Sequence, residues 1–193
     1  MEATFKALSN ENWQDLEALF GANGACGGCW CMTMRLTSSD YEEQKGAKNK
    51  SSLRKLVRKH QPVGVLAYSQ NSPVGWCSVA PREHFVRLST SRIFKPVDDA
   101  PVWSIVCLFI KKNCRRMNLS GQLIRAAVRY AGKQGALIVE AYPQIPRKEN
   151  VPDVFAFCGI ASAFERAGFV EVARRSETRP VMRFTIRDSK GQA

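Results

Sequence analysis

The sequence predicts an α/β protein: one mixed sheet carrying helices on both faces. Two observations lead there. Apolar runs at 102–110 and 137–142 bracket an amphipathic helical segment at 119–134, a strand–helix–strand order in the middle of the chain. Shorter strand-like pairs lie on either side, at 63–79 and 169–186, and read as hairpins. The regular βα alternation of a doubly wound fold is missing.

Each element has its own signal. Residues 11–20 read as a short helix because Trp13, Leu16, Leu19 and Phe20 recur at helical spacing, with Ser9 or Asn10 available as a cap. Residues 21–28 form a glycine-rich loop. Residues 40–60 predict one basic helix with Leu53, Leu56 and Val57 on its apolar side, stopped by Pro62. The runs 63–68 and 74–79 flank Ser69, Gln70, Asn71, Ser72 and Pro73, a turn-forming set. Residues 82–100 are a long connection without a motif. In the 119–134 helix, Leu119, Leu123, Ala126, Ala127, Tyr130 and Ala131 share one face, and Gly135 ends it. Pro143 and Pro146 break the strand at 137–142. A helix over 154–167, Gly168 and a strand pair at 169–174 and 181–186 complete the chain.

The 193 residues are expected to form a single domain spanning 1–193, and 45% hydrophobic content suits a globular protein. No apolar run approaches the roughly 18 residues that cross a bilayer, so no membrane association is expected. The N-terminus lacks a basic start followed by an apolar run, and the seven cysteines are odd in number. Both point to a reducing, cytoplasmic setting. A net charge of +12 fits either a solvated basic surface or an anionic ligand. A nucleic-acid module would interleave basic residues with exposed aromatics, whereas these aromatics mostly occupy apolar strands. Nucleic acid is therefore not an expected partner.

The densest signal runs from Ile105 to Tyr130. An apolar strand passes through a basic turn of small residues into a helix, so backbone N–H groups and the positive helix end converge on an anion. Lys111, Lys112, Arg115 and Arg116 crowd that turn, as a ligand with several phosphates would require.

Arg115-Arg116-Met117-Asn118-Leu119-Ser120 resembles the acyl-CoA signature of the GNAT superfamily of N-acetyltransferases, [Gln/Arg]-x-x-Gly-x-[Gly/Ala]. Phe164-Glu165-Arg166-Ala167-Gly168-Phe169 is similar to that family's Tyr-Glu-x-x-Gly-Phe, and Pro73-Val74-Gly75-Trp76 to its turn between the second and third strands. The resemblance implies a sheet of about six or seven strands splayed between the fourth and fifth. It also implies a division into residues 1–62 (a strand and helices lining the acceptor side), a cofactor-binding core at 63–187 and a tail at 188–193. Acetyl-CoA is the implied cosubstrate, an amine on a small molecule or protein the implied acceptor, direct attack in a ternary complex the implied reaction, and a monomer or homodimer the implied state. Leu108, Phe109 and Ile110 are expected along the pantetheine arm. Arg115, Arg116, Met117, Asn118, Leu119, Ser120 and Gly121 are expected around the pyrophosphate.

Two departures fall inside the signature. Asn118 stands where glycine is usual, and asparagine tolerates positive φ. Ser120 stands for glycine or alanine and could cap the helix. The family's usual acid, a tyrosine, corresponds to Phe164, and a glutamate base found in some members corresponds to Ser104. That vacancy makes Glu140 a candidate base, with Tyr142 two residues on as a candidate donor to the leaving thiolate and Ser104 a weak third. It also keeps open a catalytically silent acyl-CoA sensor. Trp30 and Met32, with Met34, are candidate substrate-binding residues. Cys26, Cys29 and Cys31 make half a zinc pattern with no second half at finger spacing, so no metal is expected.

Overall fold

The computed structural model describes residues 1–146 and 158–186. In chain order it forms β1 (Thr4–Ala7), α1 (Trp13–Phe20), α2 (Ser38–Glu43), α3 (Ala47–Arg58), β2 (Gly64–Ser69), β3 (Ser72–Pro81) and α4 (Val86–Thr90). There follow β4 (Trp103–Ile110), α5 (Leu119–Lys133), β5 (Ile138–Ala141), α6 (Ala161–Glu165), β6 (Val170–Arg174) and β7 (Pro180–Thr185). One seven-stranded sheet has the order β1-β2-β3-β4-β5-β7-β6. Only β4 and β5 pair in parallel, joined through α5. The two hairpins lie on either side of that crossover, so the mixed sheet read from the sequence is the sheet observed.

Alternation along the strands separates two apolar layers. Val65, Cys77, Ile105 and Val139 face α5 and α6, where Leu119, Leu123, Ala127 and Phe164 are buried against them. Leu66, Tyr68 and Trp76 face α1 and α3. Among the described residues no helix is long and apolar enough to cross a membrane.

Three elements differ from the sequence reading. The helix expected over 40–60 is two, α2 and α3, because Gly46 turns at φ 80° and packs on Gly28. Gly46 N–H donates to Gly28 O at 3.0 Å, and a Cβ on Gly28 would stand 2.6 Å from Gly46 N. That long-range contact outweighs helix periodicity. The helix expected over 154–167 begins only at Ala161: Gly159 is left-handed and Ile160 makes an isolated bridge with Gln144. The portion before residue 158 lies outside the described residues. The connection 82–100 is not shapeless, since it holds a 3-10 turn (Arg82–His84) and α4.

Two features of β4 set up the site. Its register with β3 slips by one residue, Ser78 pairing with Cys107 but Val79 with Ile105, so Val106 is an extra residue in a β-bulge. Its pairing with β5 covers only Trp103–Val139, Ser104–Glu140 and Ile105–Ala141. β4 runs on to Ile110 while β5 stops before Pro143, which has no N–H for a ladder.

A buried polar network locks this junction. Glu140, 1% exposed, accepts from Arg183 Nε at 2.8 Å, Arg82 Nη1 at 3.3 Å and the Tyr142 hydroxyl at 2.6 Å. Ser104 Oγ lies 3.0 Å from the same hydroxyl. Burial, then the Glu140 charge, pushes the Tyr142 phenol above its ordinary range, so it stays a donor. Arg82 also holds the carbonyls of Leu88 and Phe94, and Arg183 grips Asp98 through two bonds of 2.6 and 2.8 Å. The same carboxylate thus fixes strands and connection together. Replacing Glu140 with alanine leaves Arg82 without a carboxylate and Arg183 with Asp98 alone, and should cost about 3–5 kcal/mol, read as a lower urea midpoint. Glu140→Gln, which keeps the shape and some of the hydrogen bonds, should lose less.

Candidate active site

Where β4 loses its partner, the sheet opens into a cavity of about 540 Å³. Val106 to Ile110 form one side, Gly159, Ile160 and Ala163 the opposite wall, and Cys29, Cys31, Thr33 and Met34 of the loop after α1 a third. Phe20 and Tyr41 complete the apolar end, while Arg115 and Ser120 mark the other. Gly159 is needed on its wall, because a Cβ there would meet Leu108 Cδ1 and Phe164 Cε2, each at 2.8 Å.

The strand pattern decides which backbone groups face this space. Lys111 N–H donates to Val74 O at 2.9 Å, so with antiparallel alternation Phe109 bonds across to Trp76. Leu108 and Ile110 then turn their polar groups away from β3, into the cleft. Ile110 O accepts from Arg115 Nε at 3.0 Å, which fastens the basic turn to the end of β4. Phe109 also lines the cavity, its ring edge-on to Phe20 at 5.5 Å.

The turn itself runs through a short 3-10 segment, Lys112–Cys114, then left-handed Arg116 (φ 63°) and Asn118 (φ 58°). Asparagine thus does take the positive φ that glycine usually supplies. Asn118, not Ser120, is the N-cap of α5, and its side chain makes no capping bond. Ser120 lies in the first helical turn, where amide hydrogens have no intrahelical acceptor. Arg116, Met117 and Asn118 are exposed, Leu119 is core, and buried Gly121 gives Asn118 Oδ1 room. A 15-residue helix therefore presents its positive end beside three exposed cations, Lys111, Lys112 and Arg116.

Ser104, Glu140 and Tyr142 do come together, but in the network behind the junction, and none of them lines the cavity. Phe164 is fully buried against Phe169, with ring centroids 5.2 Å apart. Trp30 and Met32 are likewise turned from the cavity into the core: Trp30 stacks on Trp13 at 6.2 Å and meets Phe20 edge-on at 5.5 Å. Met34 alone of the three expected substrate contacts reaches the wall. Among the described residues no group of three or more His, Cys, Asp or Glu side chains could hold a metal.

The thiols are the feature that sequence reasoning did not place. Cys31 Sγ accepts from Trp76 Nε1 at 3.1 Å, and the Cys107 thiol, next to the bulge, lines the same cavity. The Cys107 thiol, with Trp76, Ser78 and the Arg35 cation adding to it, draws the Cys31 thiol below its ordinary range against the opposing effect of burial. Cys107 moves the other way, held protonated by Cys31 and by burial. The only hint in the sequence was a third sulfur after a Cys-x-x-Cys, since nothing local ties residue 31 to residue 107.

A family model described as Acetyltransferase (GNAT) family matches residues 30–151. Among curated proteins the chain finds no match. Solved structures resemble it over nearly their whole length. The PaiA N-acetyltransferase of Thermoplasma acidophilum, in complex with coenzyme A, is 14% identical, with a TM-score of 0.54 over 96% of this chain and 100% of that one. The NatC complex bound to Gag peptide and CoA gives 11% identity and 0.54 over 97% and 100%. A GNAT-family acetyltransferase of Listeria monocytogenes gives 8% and 0.58 over 96% of each chain. With the splayed parallel pair, the basic turn and a family match over more than half its length, the chain belongs to the GNAT family of acetyltransferases.

Proposed function

We propose that this protein moves the acetyl group of acetyl-CoA to an amine acceptor by direct attack in a ternary complex. One observation carries the reading: a single cavity runs from the N-terminal turn of α5, at Ser120 and Arg115, along the unpaired edge of β4 to the loop at Cys31–Met34. A long ligand with a phosphate-bearing end and an amide-rich arm fits that shape. The amides at 119–121, the left-handed turn and the cations of Lys111, Lys112, Arg115 and Arg116 suit its diphosphate. The N–H and C=O of Leu108 and the N–H of Ile110 suit its arm, because backbone groups in a dry cleft need partners, and the Ile110 carbonyl already has Arg115.

Acetyl-CoA supplies an activated acetyl thioester. The chain's part is to hold, orient and desolvate. An N–H of Leu108 or Ile110 aimed into the cleft can stabilise negative charge developing on a carbonyl oxygen, typically worth ~10²–10³ in rate. Holding acceptor and thioester at contact in a water-poor site contributes much of the rest. Glu140, Tyr142 and Ser104 act here as positioning residues that fix where β4 and β5 part.

The wall also bears on the acceptor. Phe20, Ala25, Met34 and Phe109 line it, and among the described residues no carboxylate does. An apolar primary amine therefore suits the site better than a polycation, which would need acidic partners.

Calorimetry with CoA tests the assignment directly. Heat of binding is expected, with Arg115→Ala or Arg116→Ala weakening it about 10–100-fold, the loss of a charge-assisted hydrogen bond. Ser120→Glu, placing a carboxylate beside the diphosphate position, should abolish it. No heat with the wild type would overturn the reading. Thiol release from acetyl-CoA over an amine panel should favour apolar primary amines over polyamines. Binding without turnover on any amine would instead favour an acyl-CoA sensor.

A further inference from the structure

We propose that Cys31 and Cys107 form the proton-transfer pair of the cleft, Cys31 as the base that takes the acceptor's proton and Cys107 as the thiol that relays it to the departing sulfur. This deepens the acetyl-transfer reading and rests on it. The family's usual acid position holds Phe164, which has no proton to give, and Ser104 is sealed in the network with Tyr142. The cavity must therefore draw its acid and base from elsewhere on its wall.

Four observations converge on the two thiols. Both side chains line the cavity, Cys107 from the β4 bulge and Cys31 from the loop opposite. Trp76 points its indole N–H at Cys31 Sγ, a contact that favours sulfur as an acceptor. Trp30 (φ 41°) and Cys31 (φ 58°) are consecutive left-handed residues, a costly backbone for side chains with a Cβ. A strained pair at a cavity wall, locked by the Trp13 and Phe20 rings, fixes where that sulfur points. Finally, the two thiols titrate in opposite directions, the arrangement that separates an acid from a base in one site.

Charges around Cys31 agree. The cation facing it is Arg35, 6% exposed, which lies over the Phe85 ring and donates to Pro62 O at 3.4 Å. Burial lowers the Arg35 guanidinium to about 10, so it stays charged at neutral pH. The other titratable groups facing Cys31 are Cys29, Cys77, Cys107 and Cys158, all held protonated, chiefly by burial except for Cys107, where Cys31 leads. Cys26, Tyr41 and Arg115 complete the titratable side chains on the described wall. Cys31 is thus the wall thiol whose ionised form is stabilised, and an ammonium group would be drawn to it.

The proton balance closes. As the new N–C bond forms and the S–C bond breaks, Cys31 thiolate receives the amine proton. Cys107 gives its proton to the departing CoA sulfur and recovers one from Cys31 on the same cavity wall. Net, an amine and a thioester become an amide and a thiol, and both cysteines return to their starting states. The sign of the pH dependence follows, because a lowered thiol pKa puts the working thiolate on the alkaline side. Activity rises as pH climbs through about 7 and reaches a plateau.

The test begins with a readout independent of turnover: ultraviolet thiolate absorbance against pH for the wild type and Cys31→Ser. The difference should show one thiol ionising near 7, moved upward in Trp76→Phe and Cys107→Val, each of which removes a group that favours the thiolate. If Cys31→Ser does not fold, the last two variants still report the shift against the wild type. In kcat/KM profiles Cys31→Ser should lose about 10²–10⁴-fold together with the acid limb, while CoA calorimetry stays unchanged. A difference ionisation at or above the ordinary thiol range of about 8.5 would sink the pair while leaving cofactor binding intact. An acetyl group found on the Cys31 peptide after acetyl-CoA alone would make Cys31 a nucleophile and overturn the base assignment. Loss of CoA binding by the wild type would instead remove the acetyl-transfer reading itself.

Discussion

Everything functional in this molecule depends on a parallel pairing that is allowed to persist for only three residues. β4 and β5 are joined from Trp103–Val139 to Ile105–Ala141 and then separate. Beyond that point Leu108 and Ile110 carry backbone groups with no strand beside them, in the middle of a protein that otherwise pairs such groups. A sheet ordinarily closes such a gap. Here Val106 bulges from one strand, Pro143 stops the other, and Gly159 lets the far wall approach without filling the opening.

A gap of that kind needs reinforcement, and the reinforcement is electrostatic. Glu140 sits at the last paired turns of β5, bound by two arginines and a phenol that arrive from three different segments. Desolvating a carboxylate so completely is unfavourable unless each oxygen is satisfied, and both are. The network gives rigidity where the hydrophobic layers alone would permit the strands to close or drift. It also explains why the residues 82–100, poor in sequence signal, are organised: their carbonyls and Asp98 are its outer partners.

The cysteine–tryptophan loop serves the opposite side of the same opening. Its glycines bring it close to α3, its tryptophan anchors it in the α1 core, and its strained turn delivers a sulfur to the β4 bulge. Strain of this sort is tolerated because surrounding rings over-determine the conformation. Two thiols whose ionisation shifts in opposite directions, Cys31 and Cys107, thus line the opening.

Local chemistry determined much by itself. The apolar runs at 102–110 and 137–142, the one-sided helix at 119–134 and the turn sets of the hairpins fixed element types, because each depends on side-chain period and near neighbours. The basic turn was legible for the same reason: its cations, its small residues and the helix it opens are contiguous. Tertiary structure decided the rest. Periodicity could not reveal that Gly28 packs on Gly46 and splits a helix, nor that Arg82 and Arg183 meet at Glu140 and turn a candidate base into a structural anchor. It placed Trp30 and Met32 with the loop but not on the side of it that faces the cavity. Nor could it bring Cys31 to Cys107 across 75 intervening positions of chain. Charge pairing, burial and shared hydrogen bonds belong to groups that only folding makes neighbours, and those set which titratable side chains can do chemistry.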